Sequence, residues 1–129
     1  MIALSCSLLI LLIGFMCLIA AQSTVGGKLG SPEAEHKGLQ LLLANLSPEQ
    51  SWQYDRFGYF DVLGSRTGKR YRICHGTSRN VNELVEENRV GAGRCFLPSG
   101  NLVAGDCMLA QKIMLENCEE EVLRVALRF

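Results

Sequence analysis

The chain has 129 residues, of which 13 are Lys or Arg and 13 are Asp or Glu, so its formal net charge at pH 7 is zero. This balance gives no overall electrostatic reason to expect a nucleic-acid partner or an acidic substrate. The length allows one small domain, because about 100 residues remain after the charge-free N-terminal stretch. We therefore expect a single domain over residues 31–129.

The N-terminal stretch is apolar. Positions 1–27 carry no charged side chain, and positions 2–21 read IALSCSLLILLIGFMCLIAA. About 20 such residues can cross a bilayer core of roughly 30 Å as a helix. The sequence predicts a single-pass membrane or signal segment over 1–22, followed by a linker over 23–30. Two alternatives stay open: cleavage near Ala21 or Ser23, which gives a secreted domain, and a later start codon, which gives a cytoplasmic one.

Two helix start signals follow the linker. The sequence SPE at 31–33 supplies an N-cap serine, a first-turn proline and an early acid, which predicts a helix from Pro32 to about Asn45. The sequence SPEQ at 47–50 repeats this signal with glutamine in the capping-box position. A second, shorter helix ending near Gly58 is therefore predicted.

A β-hairpin is predicted next. YFDVL at 59–63 and KRYRICH at 69–75 are rich in aromatic and branched residues, and a glycine-bounded loop, GSRTG, separates them. Strand alternation gives the hairpin one apolar and one basic face. The apolar face is predicted to carry Phe60, Val62, Tyr71 and Ile73, and the opposite face Arg70, Arg72 and Cys74.

The C-terminal half is predicted to finish the fold with a long helix. NVNELVEE at 80–87 has the spacing of one helical turn, and RCFL at 94–97 is predicted as a third strand. The segment 105–129 follows as a core helix capped by Asp106, with Glu119 outside its apolar face. The predicted fold class is α+β: two N-terminal helices, a small antiparallel sheet built on the hairpin and this long C-terminal helix, after an apolar N-terminal helix.

The blocks GYFDVLGSRTGKRYRI and CFLPSGNLVAGDCMLAQKIMLE stand in an order that resembles a group of short, uncharacterised bacterial and phage proteins. The resemblance covers roughly Gly58 to Ala126. It implies one integral fold for this region. No activity is associated with the group, so the resemblance supplies no catalytic residue.

The basic face of the hairpin is the first candidate binding site. Arg66, Lys69, Arg70 and Arg72 could meet an unknown protein, an anionic surface or nucleic acid. We expect a non-enzymatic binding domain, held at a membrane by residues 2–21, that uses this face. A soluble nucleic-acid accessory protein is the first alternative.

The second alternative is a thiol or zinc site centred on Cys107. A thiol in the first turn of a helix has its thiolate favoured by the helix dipole, and His75 could act as its base. Gln111, near the centre of the apolar face, is predicted to be either a hydrogen-bond node or part of a polar pocket. Zinc could use Cys74, His75, Cys95 and Cys107, but the spacing is unlike that of structural zinc sites, so no metal and no cofactor is expected.

Overall fold

The computed structural model describes residues 30–128. The predicted apolar segment over 1–22 and most of the linker lie outside the described residues. Within residues 30–128, none of the helices combines the length and the apolar character that crossing a bilayer demands.

Residues 30–128 form an α+β domain, which confirms the α+β class predicted for this part of the chain. Five antiparallel strands follow one another across the sheet in chain order. The helices are α1 (Pro32–Ala44), α2 (Pro48–Phe57) and α3 (Ala104–Val125), and the strands are β1 (Phe60–Leu63), β2 (Arg70–Ile73), β3 (Val81–Leu84), β4 (Val90–Cys95) and β5 (Leu127–Arg128).

Helices α1 and α2 begin where their caps predict. The hydroxyl of Ser31 accepts a hydrogen bond from the backbone N–H of Ala34. Ser47 and Gln50 form a full capping box, and Gly58 ends α2 in the left-handed conformation at φ 73°. These local signals need no tertiary context, which explains why the sequence alone locates both helices.

The prediction for residues 80–87 was wrong, because this segment forms strand β3 rather than a helical turn. Val81 lies opposite Ile73 of β2, and both side chains are fully buried. An apolar spacing of three residues also fits a strand that contains a β-bulge, and the register of β3 against β4 shifts between Asn82 and Leu84. Pairing with β2 therefore makes this segment a strand, although its local sequence also fits a helical turn.

The predicted third strand over 94–97 began too late, since β4 starts at Val90 and includes two glycines. Glycine usually weakens a strand unless another group approaches it closely. A methyl group on Gly91 would meet Val85 Cγ1 at 2.9 Å, and one on Gly93 would meet Arg79 Nε at 2.6 Å. Side chains folded over the strand thus occupy the space that side chains at these positions would need.

Helix α3 begins at Ala104, two residues before the predicted cap, so the prediction of Asp106 as N-cap was wrong. Gly105 lies against Gly38 of α1, where a methyl group on Gly105 would come within 2.4 Å of the Gly38 carbonyl. The two glycines allow the backbones of α1 and α3 to approach each other closely. This contact positions the N-terminal half of α3 over the domain.

A kink at Cys118 (φ −137°, ψ 45°) divides α3. Ser65, in the β1–β2 loop, bridges the interruption: its N–H donates to the Leu115 carbonyl (3.0 Å), and its hydroxyl accepts from the Glu119 N–H (3.2 Å). In a straight helix these two helix groups would pair with each other. The kink leaves Cys118 exposed and buries Glu119, so the predicted placement of Glu119 outside the buried face was wrong.

The predicted apolar face of the hairpin is confirmed, and it forms the centre of the core. Its four side chains are at most 3% exposed, and they pack with Leu42 of α1 and Met108, Leu115 and Val122 of α3. At the free edge of β1, Gln53 Oε1 accepts from the Asp61 N–H (2.9 Å), and Gln50 Nε2 donates to the Asp61 carbonyl (2.9 Å). Helix α2 therefore satisfies the outward-facing backbone groups of Asp61 in the edge strand.

Candidate functional site

The predicted basic face of the hairpin is paired with carboxylates. Each of its four cations lies within hydrogen-bond distance of an acid, and the pairs are Arg66–Glu120 (3.0 Å), Lys69–Glu83 (2.8 Å), Arg70–Asp61 (3.0 Å) and Arg72–Asp61 (2.8 Å). Glu83 is the register partner of the buried Tyr71, so Lys69 reaches toward the helix side of the sheet. The four cations do not form one continuous basic surface.

Asp61 is the centre of the charged group on the outer side of the hairpin. Its side chain is only 7% exposed because Arg70 and Arg72 cover it. Arg72 donates to both carboxylate oxygens, and this hydrogen bonding raises the pKa of Arg72. Two guanidinium groups and one carboxylate leave a net charge of +1 here, which is a small excess for binding a polyanion.

An exposed group of rings and guanidinium groups continues from Arg72. We call Trp52, Arg56, Phe57, Tyr59 and Arg72 the aromatic–arginine cluster. Trp52 and Phe57 meet edge to face at 5.7 Å, Phe57 stacks on Tyr59 at 5.3 Å, and the Arg72 guanidinium lies 3.9 Å from the Tyr59 ring centre. Arg56 extends over Trp52 and Phe57 at 5.9 and 5.8 Å.

Three members of the aromatic–arginine cluster, Trp52, Arg56 and Phe57, are exposed, whereas Tyr59 and Arg72 are half-buried. Trp52 is 59% exposed and Phe57 is 50% exposed. Arg56 has no carboxylate within 4.0 Å in the part of the chain that the structure describes. The sequence analysis missed this surface. Its signal was four aromatic residues within positions 52–59 beside a helix end, a spacing too short to show a buried stripe.

A buried carboxylate joins the hairpin loop to α3. Glu119 is 1% exposed and accepts hydrogen bonds from the backbone N–H groups of Arg66 (2.7 Å) and Thr67 (2.8 Å), the Thr67 hydroxyl (2.5 Å) and the Tyr71 hydroxyl (2.7 Å). Burial alone would raise the pKa of Glu119, but these donors outweigh it and lower the pKa to about 2. The carboxylate is therefore ionised and structural.

The structure brings the three residues of the predicted thiol or polar site into one cavity. Cys107, Gln111 and His75 all line a cleft of about 230 Å³ between the first half of α3 and the chain after β2. Its remaining wall consists of Cys74, Gly76, Thr77, Leu97, Leu102, Ala104 and Met108. His75 itself contacts α2, where its Nε2 lies 2.9 Å from the Tyr54 hydroxyl.

Gln111 connects α3 to the end of the sheet. It is 1% exposed, and its Nε2 donates to the Phe96 carbonyl at 2.8 Å. The same carbonyl accepts from Asn80 Nδ2, and Asn80 Oδ1 accepts from the Phe96 N–H. Gln111 Oε1 has no hydrogen-bond partner among the described residues. An unpaired buried amide acceptor costs about 1–3 kcal/mol, so this one is a candidate for a further donor.

Burial opposes activation of the two thiols that line the cavity. Burial raises the pKa of Cys107 and of Cys74, which opposes the effect expected from a helix N-terminus. The cysteines at 74, 95, 107 and 118 are free thiols. Cys95 donates its S–H to the Thr77 carbonyl at 2.7 Å. Across residues 30–128, no three His, Cys, Asp or Glu side chains are grouped to hold a metal ion.

We expect Cys107 to react slowly with a neutral alkylating reagent. At pH 7.5, N-ethylmaleimide should modify Cys118, which is exposed, at least about ten times faster than Cys107, whose burial limits access and disfavours the thiolate. Peptide mapping of the full chain at timed intervals measures both rates. If Cys107 is instead the first of the described cysteines to be modified, Cys107 is an activated nucleophile and the expectation of a slow thiol is wrong.

Comparisons with known proteins return no match for this chain, whether to a family model, to a curated sequence or to a solved structure. The geometry of the aromatic–arginine cluster and of the cavity is therefore the basis on which a function can be proposed.

Proposed function

We propose that the protein is a non-enzymatic binding domain whose contact surface is the aromatic–arginine cluster, with a protein as its partner. The exposed Trp52 and Phe57, flanked by two arginines, carry this proposal. Residues that dominate protein interfaces are most often Trp, Tyr and Arg. The apolar segment over 2–21 would hold the domain at a membrane.

Exposed rings beside a small excess of positive charge favour a protein over a nucleic acid or an anionic bilayer as the partner. Nucleic-acid and lipid phosphates bind surfaces with an excess of cations. Here Arg56, Arg70 and Arg72 carry three positive charges against the one negative charge of Asp61, so the excess is only two charges. The complementary surface is an apolar side chain beside a carboxylate, which a protein partner supplies. Arg56 would pair with that carboxylate, and the rings would pack against the apolar group.

The test compares substitutions across the domain. We expect Trp52→Ala with Phe57→Ala to weaken partner binding at least about 30-fold, since hot-spot aromatic residues contribute about 2 kcal/mol or more. Partners are captured from native membranes with the full chain and identified by quantitative mass spectrometry. Affinity of each variant for a purified partner is then measured by isothermal titration calorimetry, because Trp52→Ala removes the chain's one tryptophan and with it the emission signal.

The matched control is Leu127→Ala, because Leu127 is 67% exposed on β5, at the opposite edge of the sheet from β1. This variant should retain every partner. Single-stranded oligonucleotides and vesicles of anionic lipid are the competing ligands, and neither should shift the Trp52 emission. If an oligonucleotide binds in a salt-dependent way and Trp52→Ala with Phe57→Ala abolishes that binding, the partner is a nucleic acid and the proposal of a protein partner is wrong.

The original basic-face hypothesis has its own variant, Arg70→Ala with Arg72→Ala. Loss of both guanidiniums leaves Asp61 partly buried without its ion pairs, so the measurement needs a check of folding by circular dichroism. If the folded variant keeps full affinity for the captured partner, Arg70 and the Arg72 end of the aromatic–arginine cluster play no part in binding.

A further inference from the structure

We propose that the cavity beside α3 binds a compact, mostly apolar molecule that carries one N–H or O–H donor, and that this donor pairs with Gln111. The proposal does not depend on the aromatic–arginine cluster. It combines two observations on one residue: Gln111 lines a cleft of about 230 Å³, and its buried amide oxygen has no described partner.

The orientation of the Gln111 amide is fixed by its other end. Nε2 donates to the Phe96 carbonyl, so a flipped amide would turn its oxygen onto another acceptor. That carbonyl also receives the Asn80 amide, which holds the strand end in place. Oε1 is therefore held as an acceptor, and it requires a donor from outside the described side chains.

The wall of the cavity indicates the kind of molecule that supplies the donor. Leu97, Leu102 and Met108 make much of the lining apolar. An ordered water needs two to four polar partners, which such a wall does not offer throughout its volume. An engineered apolar cavity of about 150 Å³ holds benzene, so the larger volume here suits a bicyclic aromatic ring. Neutral molecules are favoured because the lining residues include no Asp, Glu, Lys or Arg.

The test uses two probes of nearly the same shape. Indole carries an N–H, whereas indene does not. Cys107 lines the cavity, so an occupant shields it from N-ethylmaleimide, and peptide mapping of the full chain reports this shielding independently of any partition of the probe into lipid. We expect indole to protect Cys107 at a concentration at least about ten times lower than indene, and neither probe to protect the exposed Cys118.

A variant at the mouth of the cavity completes the test. Leu97 is 52% exposed, so Leu97→Trp fills the entrance with little effect on the core. Indole should no longer protect Cys107 in this variant, and it should raise the melting temperature of the wild-type chain but not of Leu97→Trp. Equal protection by indole and indene, protection that survives Leu97→Trp, or no protection up to millimolar indole each overturns the proposal.

Discussion

Replacing Glu119 by Gln should unfold the domain at temperatures well below the wild-type transition. The substituted amide keeps the shape but turns an N–H₂ group toward donors from Arg66, Thr67 and Tyr71. Breaking a buried, hydrogen-bonded charge network typically costs about 3–5 kcal/mol. For a domain of this size that corresponds to a fall in melting temperature of at least about 12 °C, measured by circular dichroism on the full chain.

The effect of Glu119 should depend on pH in a defined direction. Its pKa is about 2 in the folded protein, against an ordinary value of 4.5. Because the folded pKa is the lower one, the stabilisation is fully present above about pH 5 and is lost as the pH falls toward 2. The difference corresponds to about 3 kcal/mol. The melting temperatures of wild type and Glu119→Gln should therefore converge between pH 5 and 2.

The matched control is the neighbouring Glu120, which is 73% exposed and pairs with Arg66. Because exposed ion pairs contribute little, Glu120→Gln should change the melting temperature by less than about 3 °C. Equal effects of the two substitutions, or a constant gap between wild type and Glu119→Gln across the acid range, would contradict the structural role of the buried carboxylate.

Gly105→Ala should be the second most damaging substitution. Alanine is favoured over glycine inside a helix by about 1 kcal/mol, so local propensity alone predicts a gain in stability. The added methyl group would instead lie 2.4 Å from Gly38 C and O, and 2.6 Å from Leu39 N. Backbone atoms cannot move aside unless α1 leaves α3. We therefore expect a net loss of about 3 kcal/mol, measured by urea unfolding.

Gly38→Ala provides a graded comparison. A methyl group at Gly38 would meet the Val103 side chain at 2.5 Å, and a side chain yields more easily than a backbone. Its loss should be smaller than that of Gly105→Ala, and Val103→Ala should recover part of it. The same second substitution should recover none of the Gly105→Ala loss. A net gain in stability from Gly105→Ala would show that the two helices are farther apart than described.

The parts of the fold that the sequence predicts are those coded by short-range chemistry. Ser31 and Ser47 start their helices through caps within three residues, and alternation correctly assigns the buried face of the hairpin. The errors fall where contact with a residue distant in the sequence determines the local structure. Val81 is in a strand because Ile73 lies opposite it, and Glu119 is buried because Ser65 bridges the break in α3. Neither partner is visible in a local window.

The candidate sites show the same division. The sequence identified Cys107, Gln111 and His75 as one possible site, and the structure places them around one cavity. The chain after β2 forms part of the cavity wall, which the sequence did not indicate. The basic residues of the hairpin were predicted as a binding face without their acids. Glu83 and Glu120 come from other elements, so the ion pairs of Lys69 and Arg66 depend on the tertiary fold.

The glutamine contacts at the edge of β1 have a consequence for association. An open edge strand offers its N–H and carbonyl groups as a template for a strand from another chain. At Asp61 both groups are already occupied by Gln53 and Gln50, so a neighbouring molecule cannot extend the sheet there without displacing α2. At the other edge, β5 has only two residues. Helix α2 therefore protects the β1 edge against extension of the sheet, whereas among the described residues β5 pairs only with Arg94 and Cys95 of β4.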